Sequence, residues 1–256
     1  MTMNGVNFHR TYGFGDSLFG MARFPPIGRA KDHGECAPGL LFRKLGSKLA
    51  GDAYENLAAP GSTSTLIAAR VKGMLAYRMD AATCVFLDMG INDIGMSKKR
   101  DGLLTTHARG SHVEADKLSD RMVTNLKTAC AAIPESATVF LTTLPSFHVL
   151  QPPSYTLTDN ERVCADSHIA YFNNNLRQLL STSTRFRIID FGLWYERVLL
   201  NPPKVGDLQL VGFPKFGSRE YVTVDGVHPG AIAHGLLANE VVPGLFSEQE
   251  LLGLWK

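Results

Sequence analysis

The feature that most constrains this chain is a regular alternation of short apolar runs with longer segments of helical apolar spacing. This periodicity predicts five strands and five helices, and a helix follows each strand. The predicted strands are residues 8–14, 53–57, 84–89, 138–144 and 186–191. The predicted helices are residues 40–49, 64–79, 116–132, 159–180 and 231–241.

Strands that alternate with helices form right-handed crossovers, and these build a mostly parallel sheet with helices on both faces. The predicted fold class is therefore α/β, a three-layer α/β/α sandwich. The chain has 256 residues, 45% of them apolar, which suffices for one substantial core, and we expect one domain over residues 1–256. In such a sheet ligands bind at the carboxyl ends of the strands. The longer segments 95–114, 145–158 and 201–222 are the expected walls of a substrate pocket.

Composition excludes several classes of function. The 26 basic and 24 acidic residues are spread along the chain, so the sequence carries no electrostatic footprint for nucleic acid. No apolar run is long enough to span a bilayer. Residues 1–20 lack the pattern of an export signal, so we expect a cytoplasmic protein, or a secreted one if a leader has been removed. Nothing in the sequence fixes an oligomeric state.

The glycine-rich segment after the first predicted strand raises two familiar possibilities, and each fails on spacing. A dinucleotide-binding G-x-G-x-x-G turn needs a third glycine where Leu18 stands. The nucleophile elbow G-x-S-x-G needs a final glycine where Phe19 stands. Phosphate-binding G-x-x-x-x-G-K-[ST] loops and H-E-x-x-H zinc sites are also absent from the sequence, so a different kind of site is expected.

Two segments carry the residue types of a serine hydrolase. Ser17 lies at a predicted turn from strand to helix, where its backbone N–H points the same way as the free amides of the helix. Asp225 and His228 share a short loop before the last predicted helix, and their spacing lets the carboxylate orient the imidazole. Each also has an ordinary structural explanation: a helix-capping serine, and an aspartate turn with an incidental histidine.

Two more segments could supply donors to an oxyanion. Asn92 follows the apolar strand 84–89, and Gly61 follows the second predicted strand. An asparagine side chain and a glycine backbone N–H can both stabilise the negative charge that develops on a carbonyl oxygen. Asparagine and glycine are also common turn residues, and for Gly61 alone the turn is the simpler interpretation.

Taken in order along the chain, these four blocks resemble the SGNH or GDSL hydrolase superfamily. The resemblance rests on Gly-Asp-Ser-Leu at 15–18, Gly61, Gly-Ile-Asn-Asp at 90–93, and Asp-Gly-Val-His-Pro at 225–229. It implies a flavodoxin-like five-stranded sheet and a triad of Ser17, Asp225 and His228. It also implies an oxyanion hole formed by the Ser17 amide, Gly61 and Asn92.

A narrower similarity connects the chain to the fungal acetylesterase branch of that superfamily. It rests on the motif at 90–95, on Phe-Asn-Asn-Asn-Leu at 172–176, and on the segment 191–203. Those relatives are typically secreted and remove acetyl groups from carbohydrates. This chain departs from them in two ways. It shows no export signal, and the residues before His228, Val224-Asp225-Gly226, are less polar than expected.

The resulting hypothesis is a carboxylic ester hydrolase, with a preference for short acyl groups, that works through an acyl-enzyme and needs no metal or organic cofactor. Its expected partner is a small-molecule ester, either an acetylated carbohydrate or an acylated metabolite. Two alternatives remain open at this point. The same triad could transfer an acyl group or process a thioester or lactone in a biosynthetic route. A catalytically silent binding module could also retain the fold.

Overall fold

The computed structural model describes residues 8, 10–16, 18, 54–75, 79, 83–95, 112–150, 157–215, 220–223 and 225–254. The strands are β1 Arg10–Phe14, β2 Tyr54–Asn56, β3 Thr83–Leu87, β4 Thr138–Thr142, β5 Phe186–Ile189, β6 Lys204–Val205 and β7 Leu208–Gln209. The helices are α1 Ser64–Leu75, α2 Ile91–Ile94, α3 His112–Ala132, α4 Asp159–Thr182, α5 Phe191–Leu200, α6 Ala231–Val241 and α7 Glu248–Gly253.

The main sheet contains five parallel strands in the order β2-β1-β3-β4-β5, which is the flavodoxin-like order. The central strand, β3, is buried along its whole length, so its last four residues, Cys-Val-Phe-Leu, form a continuous apolar run rather than an alternating one. Phe86 of β3 stacks on Phe140 of β4, with ring centroids 5.1 Å apart. The predicted α/β class and parallel sheet are confirmed.

Helices cover the sheet. α1 packs on α3, α3 packs on α4, and α4 contacts β5. The buried side chains of α3 recur at helical spacing and turn one stripe toward the core: Ala115, Ser119, Met122, Val123, Leu126, Ala129 and Cys130. α4 begins with a capping box, in which Thr158 and Glu161 satisfy each other's backbone N–H groups. None of the described helices is long and apolar enough to cross a membrane.

Several predicted elements need correction. No element was predicted for residues 192–200, which belong to α5 and bury its apolar face, and Phe191, predicted as the end of a strand, begins that helix. α3 begins at His112, inside the segment 95–114 that was predicted as a pocket wall. Segment 201–222 contains the short β6–β7 hairpin. The chain does not end its regular structure with α6, because Ser247 and Glu250 form a capping box that starts α7. The predicted helix at 40–49 lies outside the described residues.

Candidate active site

Three turns meet at the carboxyl edge of the sheet, after β1, β2 and β3. The backbone N–H of Asp88 donates to the Phe14 carbonyl at 2.9 Å, and that of Ala59 donates to the Gly15 carbonyl at 3.0 Å. These bonds extend the ladders of the sheet one step beyond the strands and fix the turns relative to one another. The first three sequence blocks therefore lie side by side, as the parallel topology requires.

The first turn contains Asp16 and Leu18, while Ser17 itself lies outside the described residues. Asp16 is fully buried, and its Oδ1 accepts a hydrogen bond from the Leu18 backbone N–H at 2.8 Å. An aspartate that accepts from the N–H two residues ahead stabilises a tight turn into a helix. The aspartate of the Gly-Asp-Ser-Leu motif thus shapes the backbone on both sides of position 17.

Gly61 and Asn92 are brought together by a direct contact between their blocks. Gly61 has a positive φ of 69°, a conformation that favours glycine. Asn92 is buried in α2, and its Nδ2 donates to the Ser62 carbonyl at 3.2 Å. The Asn92 side chain also lies close enough to the Asp16 carboxyl group to favour the charged form of that group and lower its pKa. Asn92 therefore connects the second block to the first, and would exchange one of these contacts to donate to an oxyanion.

The residue after Asn92 has a structural role. Asp93 accepts from the backbone N–H of Ser64 and from its hydroxyl, both at 2.7 Å, and so occupies the N-terminus of α1. A carboxylate at a helix N-terminus is favoured by the helix dipole and satisfies a free amide. Asn125 of α3 donates to the same Ser64 hydroxyl at 2.9 Å. These contacts lock α2, and with it Asn92, against α1 and α3.

The fourth block places the predicted acid and base in contact. His228 Nδ1 and Asp225 Oδ2 are 2.7 Å apart, and Asp225 Oδ1 accepts from the backbone N–H groups of His228 at 2.8 Å and Val227 at 3.0 Å. The pair is mostly buried, with 14% of the His228 side chain and 20% of the Asp225 side chain exposed. An imidazole whose Nδ1–H is bound by a carboxylate presents Nε2 as its basic nitrogen.

The surroundings of Asp225 favour its charged form. Burial alone would raise the pKa of Asp225, but the hydrogen bond and charge of His228, together with the two backbone N–H donors, outweigh it, so the pKa lies below its ordinary value. Asp225 is therefore ionised at neutral pH, as a carboxylate that holds and stabilises an imidazole must be.

The loop that carries this pair is braced by buried contacts. Tyr195 of α5 is fully buried, and its hydroxyl donates to the Val227 carbonyl at 2.8 Å. Gly226 has a positive φ of 87°, and its N–H donates to the Thr223 hydroxyl at 3.1 Å. Gly226 and Val149, which follows β4, line the same small pocket. The Asp225–His228 loop thus lies by the segment that leaves the carboxyl end of β4.

Two residues that support the site were not predicted from the sequence. Tyr195 falls in residues 192–200, for which no element was predicted, and nothing in its sequence context signals the contact with Val227. Asp88 does carry a signal, since it stands inside the apolar run 84–89, and a fully buried aspartate needs a partner. That partner is the Thr142 hydroxyl, which donates to Asp88 Oδ1 at 2.7 Å.

Comparisons with known proteins agree with this architecture. The sequence matches the family model of GDSL-like lipase/acylhydrolase over residues 12–241. Comparison with curated proteins gave no significant match. A phospholipase A1 from Streptomyces albidoflavus has a similar structure, with a TM-score of 0.54 at 13% identity over 91% of this chain and 99% of that one.

Two further solved structures share the fold. An acetylxylan esterase from Geobacillus stearothermophilus aligns with a TM-score of 0.53 at 14% identity, over 96% of this chain and 98% of that one. An alpha/beta hydrolase from the metagenome of Lake Arreo, Spain, aligns with a TM-score of 0.53 at 14% identity over the whole of both chains. Fold and family define the class of protein as a carboxylic ester hydrolase. The chain belongs to the GDSL-like lipase/acylhydrolase family.

Proposed function

We propose that this protein is a serine-dependent ester hydrolase in which Ser17 is the nucleophile, His228 the general base and acid, and Asp225 the carboxylate that orients the imidazole. The observation that carries the proposal is the 2.7 Å contact between His228 Nδ1 and Asp225 Oδ2. This contact leaves Nε2 to accept the serine proton, which a hydroxyl needs to become a useful nucleophile at neutral pH.

The reaction proceeds in two halves. Ser17 Oγ attacks the ester carbonyl carbon while His228 Nε2 takes the hydroxyl proton, and the carbonyl oxygen becomes an oxyanion. The bond to the alcohol then breaks, and the alcohol leaves with the proton from the imidazolium. Water, activated by His228, attacks the acyl-enzyme, the acid departs, and Ser17 is restored.

The oxyanion is assigned to three donors: the backbone N–H groups of Ser17 and Gly61, and the side-chain amide of Asn92. The contact between Asn92 and the Ser62 carbonyl supports this grouping, because it places the amide beside the Gly61 turn. Donors aimed at the carbonyl oxygen stabilise the negative charge that develops there, which is usually the largest single contribution to catalysis of acyl transfer.

The proposed substrates are small esters with short acyl groups, acetyl in particular. Support comes from the resemblance of residues 90–95 and 172–176 to acetylesterases and from an acetylxylan esterase among the proteins that share the fold. A higher kcat/KM on p-nitrophenyl acetate than on p-nitrophenyl octanoate would bear this out. A preference for the octanoate would contradict it and favour a lipase.

The catalytic assignment is tested by replacing Ser17. We expect Ser17→Ala to lower kcat on p-nitrophenyl acetate on the order of 10⁶-fold while the protein stays folded. The matched control is Ser181→Ala, on the exposed surface of α4, which should retain wild-type turnover. Wild-type activity in Ser17→Ala would refute the role of this serine.

A further inference from the structure

One arginine of α1 reaches the turn that carries Gly61. Arg70 Nη1 donates to the Ser62 hydroxyl at 3.0 Å. None of the ion pairs among the described residues involves Arg70. Because the guanidinium is charged, its hydrogen bond to the hydroxyl is stronger than one between two neutral groups.

Ser62 is the buried residue of this turn. It is 2% exposed, whereas Gly61 is half-buried and Pro60 is exposed. The Ser62 backbone N–H closes the turn by donating to the Ala59 carbonyl at 3.2 Å. Gly61, with its positive φ, gives the backbone of the turn much conformational freedom. The contacts of Ser62 therefore hold the turn in one conformation.

The same serine is linked to two of the proposed oxyanion donors. Gly61 precedes it in the chain, and the Ser62 carbonyl accepts from Asn92 Nδ2 at 3.2 Å. An amide group is planar and has two N–H donors, so a bond to one of them fixes the direction of the other. A shift of Ser62 would therefore move the Gly61 N–H and turn the Asn92 amide at the same time.

The helix α1 gives Arg70 a fixed base. Its first residue, Ser64, is held by Asp93 and Asn125, and the helix packs on α3. Helical side chains point toward the N-terminus of their helix, and Arg70 accordingly reaches a residue that precedes α1. The arginine thus connects a rigid helix to the Gly61–Ser62 turn.

We propose that Arg70 is a positioning residue: through the Ser62 hydroxyl it fixes the Gly61–Ser62 turn, and so aims the Gly61 N–H and the Asn92 amide at the oxyanion. This inference rests on the proposed function, because it needs both donors in the oxyanion hole. The donors act on the charge that develops in the transition state, so the loss of their alignment lowers kcat and leaves KM unchanged.

The first test compares Arg70→Met with the wild type on p-nitrophenyl acetate, at a temperature where circular dichroism shows both to be folded. Methionine keeps an apolar stem but cannot donate to Ser62. One oxyanion donor contributes about 10²–10³-fold to kcat, and misaimed donors lose part of this. We therefore expect kcat to fall about 10-fold, with KM within about two-fold of the wild-type value.

The matched control is Arg121→Met, at an exposed arginine of α3, which should keep wild-type kcat and KM. A lower unfolding temperature of Arg70→Met combined with wild-type kcat would show that the hydrogen bond to Ser62 only stabilises the fold. That result would overturn the proposal.

A double-mutant cycle shows whether Arg70 acts through Ser62. Ser62→Ala removes the hydroxyl and keeps the backbone carbonyl, so it should lower kcat to the same extent as Arg70→Met. The double variant Arg70→Met/Ser62→Ala should lose no more than either single variant, whereas losses that multiply would contradict the proposal. Ser62→Ala also keeps the test decisive if Arg70→Met does not fold, because wild-type kcat in Ser62→Ala would overturn the proposal.

The link to the oxyanion is tested in an Asn92→Ala background. With the Asn92 amide gone, Arg70→Met can misalign only the Gly61 N–H of the two donors. Its effect on kcat should therefore be smaller than in the wild-type background. An undiminished effect would contradict the role of Arg70 in aiming the Asn92 amide.

These outcomes are separable from a failure of the proposed function. If Ser17→Ala is inactive while Arg70→Met and Ser62→Ala keep wild-type kcat, Ser17 stands as nucleophile and only the role of Arg70 falls. If Ser17→Ala retains turnover, the catalytic assignment falls and takes the role of Arg70 with it.

Discussion

Asp225 and Asp88 are both mostly buried aspartates next to the candidate active site, yet their surroundings move their pKa values in opposite directions. Asp225 receives two backbone N–H groups and the His228 imidazole, so its pKa is lowered. Asp88 has deeper burial and fewer donors, so its pKa is raised to about 7. The number of hydrogen-bond donors around a carboxyl group, and not burial alone, therefore decides whether its charged or its protonated form is favoured near neutral pH.

The largest effect is expected from removing the negative charge of Asp225 in the Asp225–His228 loop. Asp225→Asn keeps the size of the side chain but no longer enforces the imidazole tautomer, so kcat should fall about 10⁴-fold. The readout is steady-state hydrolysis of p-nitrophenyl acetate. Asp207→Asn, at a fully exposed aspartate of the β6–β7 hairpin, serves as the control and should behave like the wild type.

Nearly full activity in Asp225→Asn would contradict this role, since a carboxylate that accepts from three donors would then have no function in catalysis.

An intermediate effect is expected on stability when the proton-holding carboxyl group is replaced. The folded pKa of Asp88, about 7, lies above the unfolded value of about 3.9, so the native state binds the proton more tightly between these values. Native stability contributed by this group is therefore full below about pH 4 and is lost as pH rises toward about 7. Asp88→Asn lacks this titration.

Urea unfolding at an acidic and a mildly alkaline pH measures the effect. Relative to the wild type, Asp88→Asn should gain up to about 4 kcal/mol in free energy of unfolding between about pH 4 and pH 7. Asp225→Asn should show the opposite trend, because a lowered pKa stabilises the native state above the unfolded pKa and this stability is lost on acidification. Parallel curves for the two variants would remove the contrast between the carboxyl groups.

The smallest effect concerns the Tyr195 hydroxyl, which braces the Asp225–His228 loop. Tyr195→Phe leaves the Val227 carbonyl without its buried donor, and we expect a loss of about 1–3 kcal/mol in free energy of unfolding. The matched control is Tyr171→Phe, whose hydroxyl donates to Asp120 at 2.7 Å on the exposed surface of α4, with an expected change within about 0.5 kcal/mol. Equal losses in both variants would show that Tyr195 does not brace the loop.

The fold could be predicted from the sequence largely because the inner strands β3 and β4 are short, mostly apolar runs between segments of helical spacing. β3 shows this most clearly, since burial on both faces makes its sequence continuously apolar. α5 was missed because it follows β5 after one residue and leaves no turn signal between them. The β6–β7 hairpin was missed because two-residue strands are too short to show a period.

The candidate site was predictable where its residues are close in sequence and less so where tertiary contacts matter. The Asp225–His228 contact follows from their three-residue spacing within one loop. The contact of Asn92 with the Ser62 carbonyl joins residues thirty positions apart, and only the sheet brings them together. The proximity of Asp88 to Gly15 depends on the register of β1 with β3, which no local pattern encodes.

The role of Ser17 as nucleophile is tested most directly by covalent labelling with a fluorophosphonate probe, followed by peptide mapping of the adduct by mass spectrometry. The proposed function predicts a single adduct on Ser17 in the wild type, formed far more slowly in His228→Ala because the hydroxyl then lacks its base. An adduct on another serine, or no adduct on a folded and esterase-active protein, would contradict it.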